Sequence, residues 1–513
     1  MTLDVARSDF TLGIVGAGIM GRGIAQVAAE AGISVVLADA NAETVTEALS
    51  FCTDMIRRKS AKGTMSPDDA EAAVRRIRAA AENPAAPYAS FSSCDVVIEA
   101  VAERLEVKHQ VMASLEQVVS EDCILATNTS SLSVTSIASK SRLPQRIAGF
   151  HFFNPVPLMR LVEVIGGILT DEPVLDALTA LARRIGHRPV RATDTPGFLV
   201  NHANRAFGTE ALRIVSEGIA SFADVDRVMT DVVGFRLGPF ELFDLTGLDV
   251  SQAVIESIYR QYYEEPRYRP VALAAQRYAA GLYGRKTGKG FYTYTDGKAQ
   301  KTEENIPRAD LARPVWIARR FPDAAEQVRR CLAGSGVRIE EDARPSSEAI
   351  IVLTPFGDDT TTAALAENID PTRAIAVDCL FGLDRRRTLM RTPITRPDIV
   401  DAAHALFAAD GERVTMIHDS PGFIAQRIVA CIVNIGADIA QQRIAVPQDI
   451  DSAVEIALGY PRGSLRFGDE LGPRRILDIL EGMRSFYKDP RYRPSPWLKR
   501  RAMLGVPLAT AEG

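Results

Sequence analysis

The sequence predicts an α/β domain built on a parallel sheet, an all-α domain, a degenerate second α/β unit, and a second copy of the all-α domain. Three observations predict it. Short β-rich runs alternate with helical stretches up to a boundary near residue 192. Helical periodicity then dominates to about residue 283. Finally, Asp194-Thr-Pro-Gly-Phe198 returns 225 positions later as Asp419-Ser-Pro-Gly-Phe423. A fixed offset shared by several segments is the mark of duplication. The divisions fall at residues 1–191, 192–300, 301–418 and 419–513.

The elements follow in order. TLGIVG is a short strand, GAGIMGRG a tight turn, IAQVAAEAG a helix ending near Gly32, and ISVVLAD a second strand. Residues 41–82 are helical and charged, broken by Gly-Thr-Met-Ser-Pro. DVVIEAV (95–101), CILATNT (123–129) and RIAGFHF (146–152) are further strands, separated by helical stretches. Strands alternating with helices call for a parallel sheet. After Asp194 a helix is expected, with Thr195 as its cap and Pro196 at the first helical position, where a missing N–H costs nothing. The 225 offset also maps Asp224-Val-Asp226 onto Asp449-Ile-Asp451 and Gly234 onto Gly459, and Pro266-Arg-Tyr-Arg-Pro270 returns as Pro490-Arg-Tyr-Arg-Pro494. Between the copies, AIIVLTP, AIAVDCL and RVTMIHD are strand-like but have no Gly-rich loop. This stretch reads as a shortened α/β unit, with an unrelated linker domain as the alternative.

Composition narrows the function classes. Apolar residues are 46% and charged residues 24% of the 513, which excludes collagen, a mostly disordered chain and a disulfide scaffold. The net charge of −5 gives no basic surplus for nucleic acid. Six scattered cysteines form no Cys-x-x-Cys pair, which fits a reducing compartment. No apolar run reaches the ~18 residues of a membrane helix. The first ten residues lack the basic and apolar regions of a signal peptide, so a cytoplasmic protein is expected. No zinc spacing, P-loop or serine nucleophile elbow is found, and no metal is expected.

Gly16-Ala-Gly18-Ile19-Met20-Gly21 fits the dinucleotide fingerprint G-x-G-x-x-G, between a strand and a helix. Gly16 allows the tight turn, Gly18 lets backbone approach a pyrophosphate, and Gly21 lets helix and strand pack closely. Ile19 and Met20 lie at the helix start, whose free N–H groups favour phosphate. Asp39, eighteen residues after Gly21, is placed to accept from a ribose hydroxyl and to repel a 2′-phosphate. NAD is favoured over NADP on a Rossmann-type sheet. FAD, and a plain Gly-rich turn, remain the alternatives at this point.

A second segment is His151-Phe-Phe-Asn-Pro-Val-Pro-Leu-Met-Arg-Leu-Val-Glu163. A strand ends in histidine, a Pro-bounded turn reverses the chain, and the next strand brings a glutamate. A carboxylate beside an imidazole favours the ring's protonated form, which suits a base that must hold a proton. A lone histidine is more often a satisfied core residue; the combination points to catalysis.

With these segments in view, the chain resembles the 3-hydroxyacyl-CoA dehydrogenase family. GIVGAGIMGRGIAQ, ATNTSSLSVTSIA, GFHFFNPVPLMRLVEV, DTPGFLVN and GRKTGKGFY occur in the family's order and spacing, strongly over about 11–295. The longer layout is similar to bacterial members acting on 3-hydroxyadipyl-CoA or 3-hydroxybutyryl-CoA. The resemblance implies NAD-dependent oxidation of a (3S)-3-hydroxyacyl-CoA thioester, in phenylacetate breakdown or fatty acid β-oxidation. Two alternatives stand beside it: a reductive role on acetoacetyl-CoA, and a non-catalytic NAD-binding relative.

The resemblance further implies His151 as general base and Glu163 as its orienting partner. Ser130 would bind the substrate hydroxyl, and Asn201 the thioester carbonyl or reacting oxygen. Glu103, Lys108, Asn154 and Lys286 match cofactor-contacting positions. For Ser130, Asn201 and Lys286 a purely local role is the competing reading. Arg57, Arg58, Lys59 and Lys62 form a basic cluster able to meet CoA phosphates, or simply a solvated face. Arg205, one helical turn beyond Asn201, could pair with a distal carboxylate on the acyl chain. The second half lacks this equipment: Gln426 stands at the Asn201 position, and aligning AIAVDCLF with RIAGFHFF puts Cys379 opposite His151. One active site per chain is expected, in a homodimer whose second helical copy packs on the first.

Overall fold

The computed structural model describes residues 3–81, 88–301, 303–307 and 312–512. The chain forms two compact units, 1–202 with 442–458, and 203–441 with 459–513. Position 82, the end of the expected helical stretch, lies outside the described residues.

The first unit begins β1 (Thr11–Val15), α1 (Ile19–Glu30), β2 (Ser34–Ala38), α2 (Ala42–Ala61), α3 (Pro67–Arg76) and β3 (Ile77–Ala79). It continues β4 (Val96–Glu99), α4 (Leu105–Leu115), β5 (Ile124–Thr127), α5 (Val134–Ala138), β6 (Ile147–Phe152), β7 (Leu161–Gly166), α6 (Glu172–Arg184), β8 (Arg188–Thr193) and α7 (Val200–Ala203). The eight strands form one sheet in the order β3-β2-β1-β4-β5-β6-β7-β8. All neighbours are parallel except β6 and β7. Ile14, Leu37, Ile98 and Leu125 are fully buried in it, as continuous apolar runs in a two-sided sheet must be. The break between α2 and α3 is a designed stop: Ser66 caps α3 by accepting from the Asp69 N–H, with Pro67 next. The segment 442–458, from the second helical copy, belongs to this unit and not to the rest of its own copy.

The second unit carries α8 (Arg205–Ser216), α9 (Phe222–Val228), α10 (Pro239–Thr246), α11 (Leu248–Gln261), α12 (Ala272–Ala279) and a small hairpin of β9 (Tyr294–Thr295) and β10 (Lys298–Ala299). Next come β11 (Val315–Ile317), α13 (Pro322–Leu332), β12 (Ile339–Glu340), β13 (Ile350–Leu353), α14 (Thr360–Ala366), β14 (Ala374–Val377), β15 (Arg387–Arg391), α15 (Pro397–Phe407) and β16 (Val414–Ile417). These strands form a sheet in the order β12-β11-β13-β14-β15-β16, parallel except between β14 and β15. The run β13-β14-β15-β16 thus repeats the parallel–antiparallel–parallel pattern of β5-β6-β7-β8. The central stretch is a degenerate α/β copy, and the linker alternative falls.

The second helical copy follows as α16 (Ala425–Gln441), α17 (Pro447–Leu458), α18 (Ser464–Leu471), α19 (Pro473–Tyr487) and α20 (Pro496–Leu504). Within the second unit α16 packs on α8. The fully buried Arg427 of α16 donates from Nε to Glu210 of α8 at 2.5 Å and makes a two-pronged bond to Glu217 at 2.8 and 3.0 Å.

Two expectations are corrected. No helix begins at Thr195–Pro196. Gly197 (φ 77°) and Phe198 (φ 48°) are both left-handed, so residues 195–199 form a turn and α7 starts only at Val200. Gly422 (φ 81°) and Phe423 (φ 48°) repeat it. The duplicated motif is therefore a turn, with its aspartate capping a different helix: Asp194 accepts from the Val134 and Thr135 N–H groups of α5, and Asp419 from those of Thr360 and Thr361 of α14. Secondly, Asp378 and not Cys379 stands opposite His151. Strand β6 begins right after the single turn Pro144–Arg146, and β14 right after Pro371–Arg373. Arg146 bonds the carbonyls of Ser120 and Cys123, and Arg373 those of Ser346 and Ala349. Counting from those anchors, His151 and Asp378 are both the fifth residue.

Candidate active site

Strands β1, β4, β5 and β6 run parallel, so their C-terminal ends share one edge of the sheet. That edge carries the glycine turn after β1, Glu99 at the end of β4, Asn128 after β5 and His151 near the end of β6. Ligands of open α/β sheets bind along such an edge.

The glycine turn is shaped for a dinucleotide. Gly16 has φ 104°, and a Cβ there would lie 2.5 Å from the Ala100 carbonyl oxygen. A Cβ on Gly21 would lie 1.7 Å from the Gly16 carbonyl oxygen, so only glycine lets α1 sit this close to the turn. Gly18 is different: a Cβ would meet nothing within 4 Å. Its open face is the cradle a pyrophosphate needs. The first turn of α1 has no acidic residue and no side-chain cap, leaving its N–H groups to a phosphate. Ile19 is exposed there and Met20 half-buried. Asp39 directly follows β2 and accepts from the Ala17 N–H at 2.7 Å and the Asn41 N–H at 3.1 Å, which fixes it at the turn.

His151 and Glu163 are direct partners across the antiparallel β6–β7 pair. His151 Nδ1 lies 2.5 Å from Glu163 Oε2, and the two side chains are 6% and 0% exposed. The other carboxylate oxygen accepts from the Leu199 and Val200 N–H groups at 2.9 and 2.8 Å. The left-handed turn at 197–198 is what aims those donors. Glu163 is thus fixed from three directions. With Nδ1 taken up by Glu163, Nε2 is the ring nitrogen left for a substrate hydroxyl. Phe153 and Phe198 flank the imidazole, with ring centroids 4.5 and 6.0 Å away. Asn201 follows Val200 directly on α7.

Ser130 lies in the loop after β5, tied to the histidine strand by the Phe152 N–H bond to Asn128 Oδ1 at 2.8 Å. One oxygen of Glu103 gathers that loop. Oε1 accepts from the Ser130 N–H at 2.9 Å, Ser130 Oγ at 3.3 Å, the Ser131 N–H at 3.0 Å and Thr129 Oγ1 at 2.8 Å. Burial works to raise the Glu103 pKa, but the Lys108 charge and these donors outweigh it and hold the carboxyl down at about 2. Lys108 is 1% exposed; its Nζ binds both oxygens of Glu99 at 2.9 Å and reaches Glu103 at 3.3 Å. Lys108 and Glu103 therefore organise the serine loop. Sequence reading missed Glu99 and the capping Asp194. Their partners lie far along the chain, or nine residues off across a strand end, a loop and the first turn of α4, which no periodicity reports.

The remaining candidates are Asn154, the basic cluster of α2, Lys286 and Arg205. Asn154 is exposed in the β6–β7 turn, where its bond to Pro155 is cis. Arg58 and Lys62 are exposed at the end of α2, Arg57 pairs with Glu71, and Lys59 binds Glu30 at 2.6 Å. Lys286 and Arg205 belong to the second unit. Lys286 binds Asp249 at 2.6 Å. Arg205 is 7% exposed, and burial pushes its pKa down to about 10, opposed by Tyr460.

In the degenerate copy each position is altered and closed. Phe356 occupies the place of Ser130, three residues beyond its strand, and Arg475 stacks on it 3.7 Å from the ring centroid. Asp378 is buried, and Gln426 Nε2 donates to its Oδ1 at 2.9 Å. Thr388, bonded to the Asp378 N–H through its carbonyl, stands where Glu163 does.

A buried imidazole–carboxylate pair on the edge that also carries a dinucleotide turn defines an oxidoreductase that takes a hydride from an alcohol carbon. Residues 11–195 match the NAD binding domain of 3-hydroxyacyl-CoA dehydrogenase, and residues 197–294 and 422–511 each match its C-terminal domain. The chain is 33% identical over 494 residues to 3-hydroxyadipyl-CoA dehydrogenase of Escherichia coli K12, covering 96% of this chain and 98% of that protein. It is 36% identical over 282 residues to the mitochondrial hydroxyacyl-coenzyme A dehydrogenase of Sus scrofa, covering 55% of this chain and 90% of that protein. The crystal structure of 3-hydroxybutyryl-CoA dehydrogenase from E. coli K12 superposes with a TM-score of 0.84 at 31% identity, covering 97% of this chain and 98% of that one. The chain belongs to the 3-hydroxyacyl-CoA dehydrogenase family, NAD-dependent oxidoreductases of hydroxyacyl-CoA thioesters. Among the described residues, no helix is long and apolar enough to cross a membrane.

Proposed function

We propose that His151 is the general base for the 3-hydroxyl of the acyl-CoA and Glu163 its positioning partner. The observation that carries the reading is the Glu163 carboxylate, held at once by the Leu199 and Val200 N–H groups and by His151 Nδ1. Nδ1–H donates to Glu163, so Nε2 presents a lone pair and takes the hydroxyl proton; the imidazolium that forms lies against a carboxylate. NAD, when bound, accepts the hydride from C3. Gly16, Gly18, Gly21 and Asp39 would hold its pyrophosphate and adenosine ribose. Ser130 and Asn201 would bind the reacting oxygen and thioester carbonyl, and preorganised donors of this kind lower the barrier without a metal.

The substrate class proposed is a short 3-hydroxyacyl-CoA ending in a second carboxylate, as in 3-hydroxyadipyl-CoA. Its support is the relative of that name, which matches along nearly the whole chain. All six cysteines are free thiols, which supports a reducing, cytoplasmic setting. A homodimer is the proposed assembly, with α16 on α8 supplying an internal helical contact in each chain.

The test is a panel of 3-hydroxybutyryl-, 3-hydroxyadipyl- and longer 3-hydroxyacyl-CoA thioesters with NAD and NADP. The reading expects the highest kcat/KM for 3-hydroxyadipyl-CoA with NAD. Preference for a monocarboxylic chain would refute the substrate class, and no turnover of any of them would refute the reaction.

A further inference from the structure

We propose that the second helical copy works on the active site of the first half: residues 442–458 brace the open edge of the catalytic sheet, with Asp449 as a positioning residue. This rests on the His151–Glu163 reading above.

Strand β8 is the edge of the eight-stranded sheet. An edge strand leaves a row of backbone donors and acceptors unpaired. Here the second copy meets two of the donors, the Arg191 and Thr193 N–H groups. The Thr193 N–H donates to the Ile444 carbonyl at 3.0 Å. The Asp449 carboxylate accepts from the Arg191 N–H at 3.2 Å and reaches Arg188 Nη2 at 3.4 Å. Helix α17 packs on β7 and β8, with Ile450 and Val454 buried.

The braced edge adjoins the chemistry. Glu163 pairs with Val190 of β8, between the strand's two anchored stretches. One residue past Thr193, Asp194 caps α5 at the end of the Ser130 loop through the Ser133 hydroxyl and the Val134 and Thr135 N–H groups. Five residues further, the same chain gives its Leu199 and Val200 N–H groups to Glu163. The backbone leaving β8 therefore fixes the serine loop and the glutamate together, and the second copy fixes that backbone.

The arrangement is reciprocal. In the second unit the His418 N–H donates to the Ile219 carbonyl at 3.0 Å. Both residues are 225 positions from their counterparts, Thr193 and Ile444. At each sheet edge a backbone bond joins the strand's end to the other copy's helical segment. The counterpart of Asp449 differs: Asp224 accepts from Arg227 Nη1 and Ser221 Oγ on its own helix. Among the described residues, only the edge beside the intact site has the extra carboxylate anchor.

The test uses the full chain. kcat and KM are measured for acetoacetyl-CoA and NADH in the wild type, Asp449→Ala and Asp449→Asn, each first checked by thermal melting. Asp449→Ala should lose about tenfold in kcat, the factor for one ordinary hydrogen bond, with the NADH KM unchanged. Asp449→Asn, whose side-chain oxygen still accepts from the Arg191 N–H, should stay within about twofold of wild type. Wild-type kcat in Asp449→Ala, a loss that Asn does not restore, or an NADH KM rising in parallel would each overturn the proposal. Amide hydrogen exchange on the wild type decides it even if Asp449→Ala does not fold. The Arg191 and Thr193 amides should exchange slowly; open-edge rates at both would overturn the brace. An inactive wild type would refute the assigned reaction, while the exchange result would still judge the brace.

Discussion

Glu163→Gln is the substitution that separates a positioned base from a buried histidine. The glutamine oxygen can still accept from the Leu199 and Val200 N–H groups. Its NH2 then faces His151 Nδ1, 2.5 Å away in the native pair. The ring answers by moving its proton to Nε2, the nitrogen that has to be free, and the imidazolium formed in the reaction loses its counter-charge. Unit charges about 4 Å apart at an effective dielectric of about 20 attract by about 4 kcal/mol. At about 1.4 kcal/mol per decade, kcat should fall about a thousandfold. Shape and burial are kept, so the melting temperature should move by only a few degrees and the NAD KM should hold. The assay is 3-hydroxybutyryl-CoA oxidation by NAD, the direction in which the imidazolium forms, followed at the reduced-nicotinamide absorbance band. A variant within about threefold of the wild-type kcat would refute the reasoning, because the carboxylate would then be a packing feature alone.

Three further outcomes are expected. Gly18→Val should fold normally, since its Cβ meets nothing, yet lose NAD binding by calorimetry, whereas Gly21→Ala should fail to fold because its Cβ would lie 1.7 Å from the Gly16 oxygen. Burial pushes the Asp378 pKa up to about 6, so the native state holds a proton there that the unfolded chain, with a pKa near ~3.9, has released. Stability from this group falls as pH rises through about 4 to 6 and stays low above; Asp378→Asn should be the more stable form at pH ~8 by about 2–3 kcal/mol and equal to wild type near pH ~4, as denaturant titrations at the two values will show. NAD should bind once per chain by equilibrium dialysis, because the second α/β copy has neither a glycine turn nor an open serine site; a stoichiometry near two would contradict this.

Much of the fold was legible in the sequence because its signals were local. The turn Gly16–Gly21 and its flanking strand and helix declare themselves within thirty residues, and the duplicated Asp-x-Pro-Gly-Phe segment exposes the two helical copies. The His151–Glu163 pair was legible because a Pro-bounded turn joins two adjacent strands. What the motif at Asp194 does was not legible. Its proline suggested a helix start, but the left-handed Gly197 and Phe198 turn it into a bracket for Glu163, a tertiary demand that overrides local propensity. The Glu99–Lys108–Glu103 network escaped because buried ion pairs leave no periodic trace. The Asp378 register was missed because a similar-looking strand slid by one residue, which in a strand exchanges its two faces. The crossing of 442–458 onto the first sheet joins residues more than 250 positions apart, a distance at which sequence pattern carries no signal.

The most direct measurement is the turnover of His151→Gln set against its NADH affinity. The account predicts that acetoacetyl-CoA reduction falls by at least about a thousandfold while the NADH dissociation constant, read by fluorescence, stays at the wild-type value. Retained turnover, or a loss explained by NADH no longer binding, would contradict it.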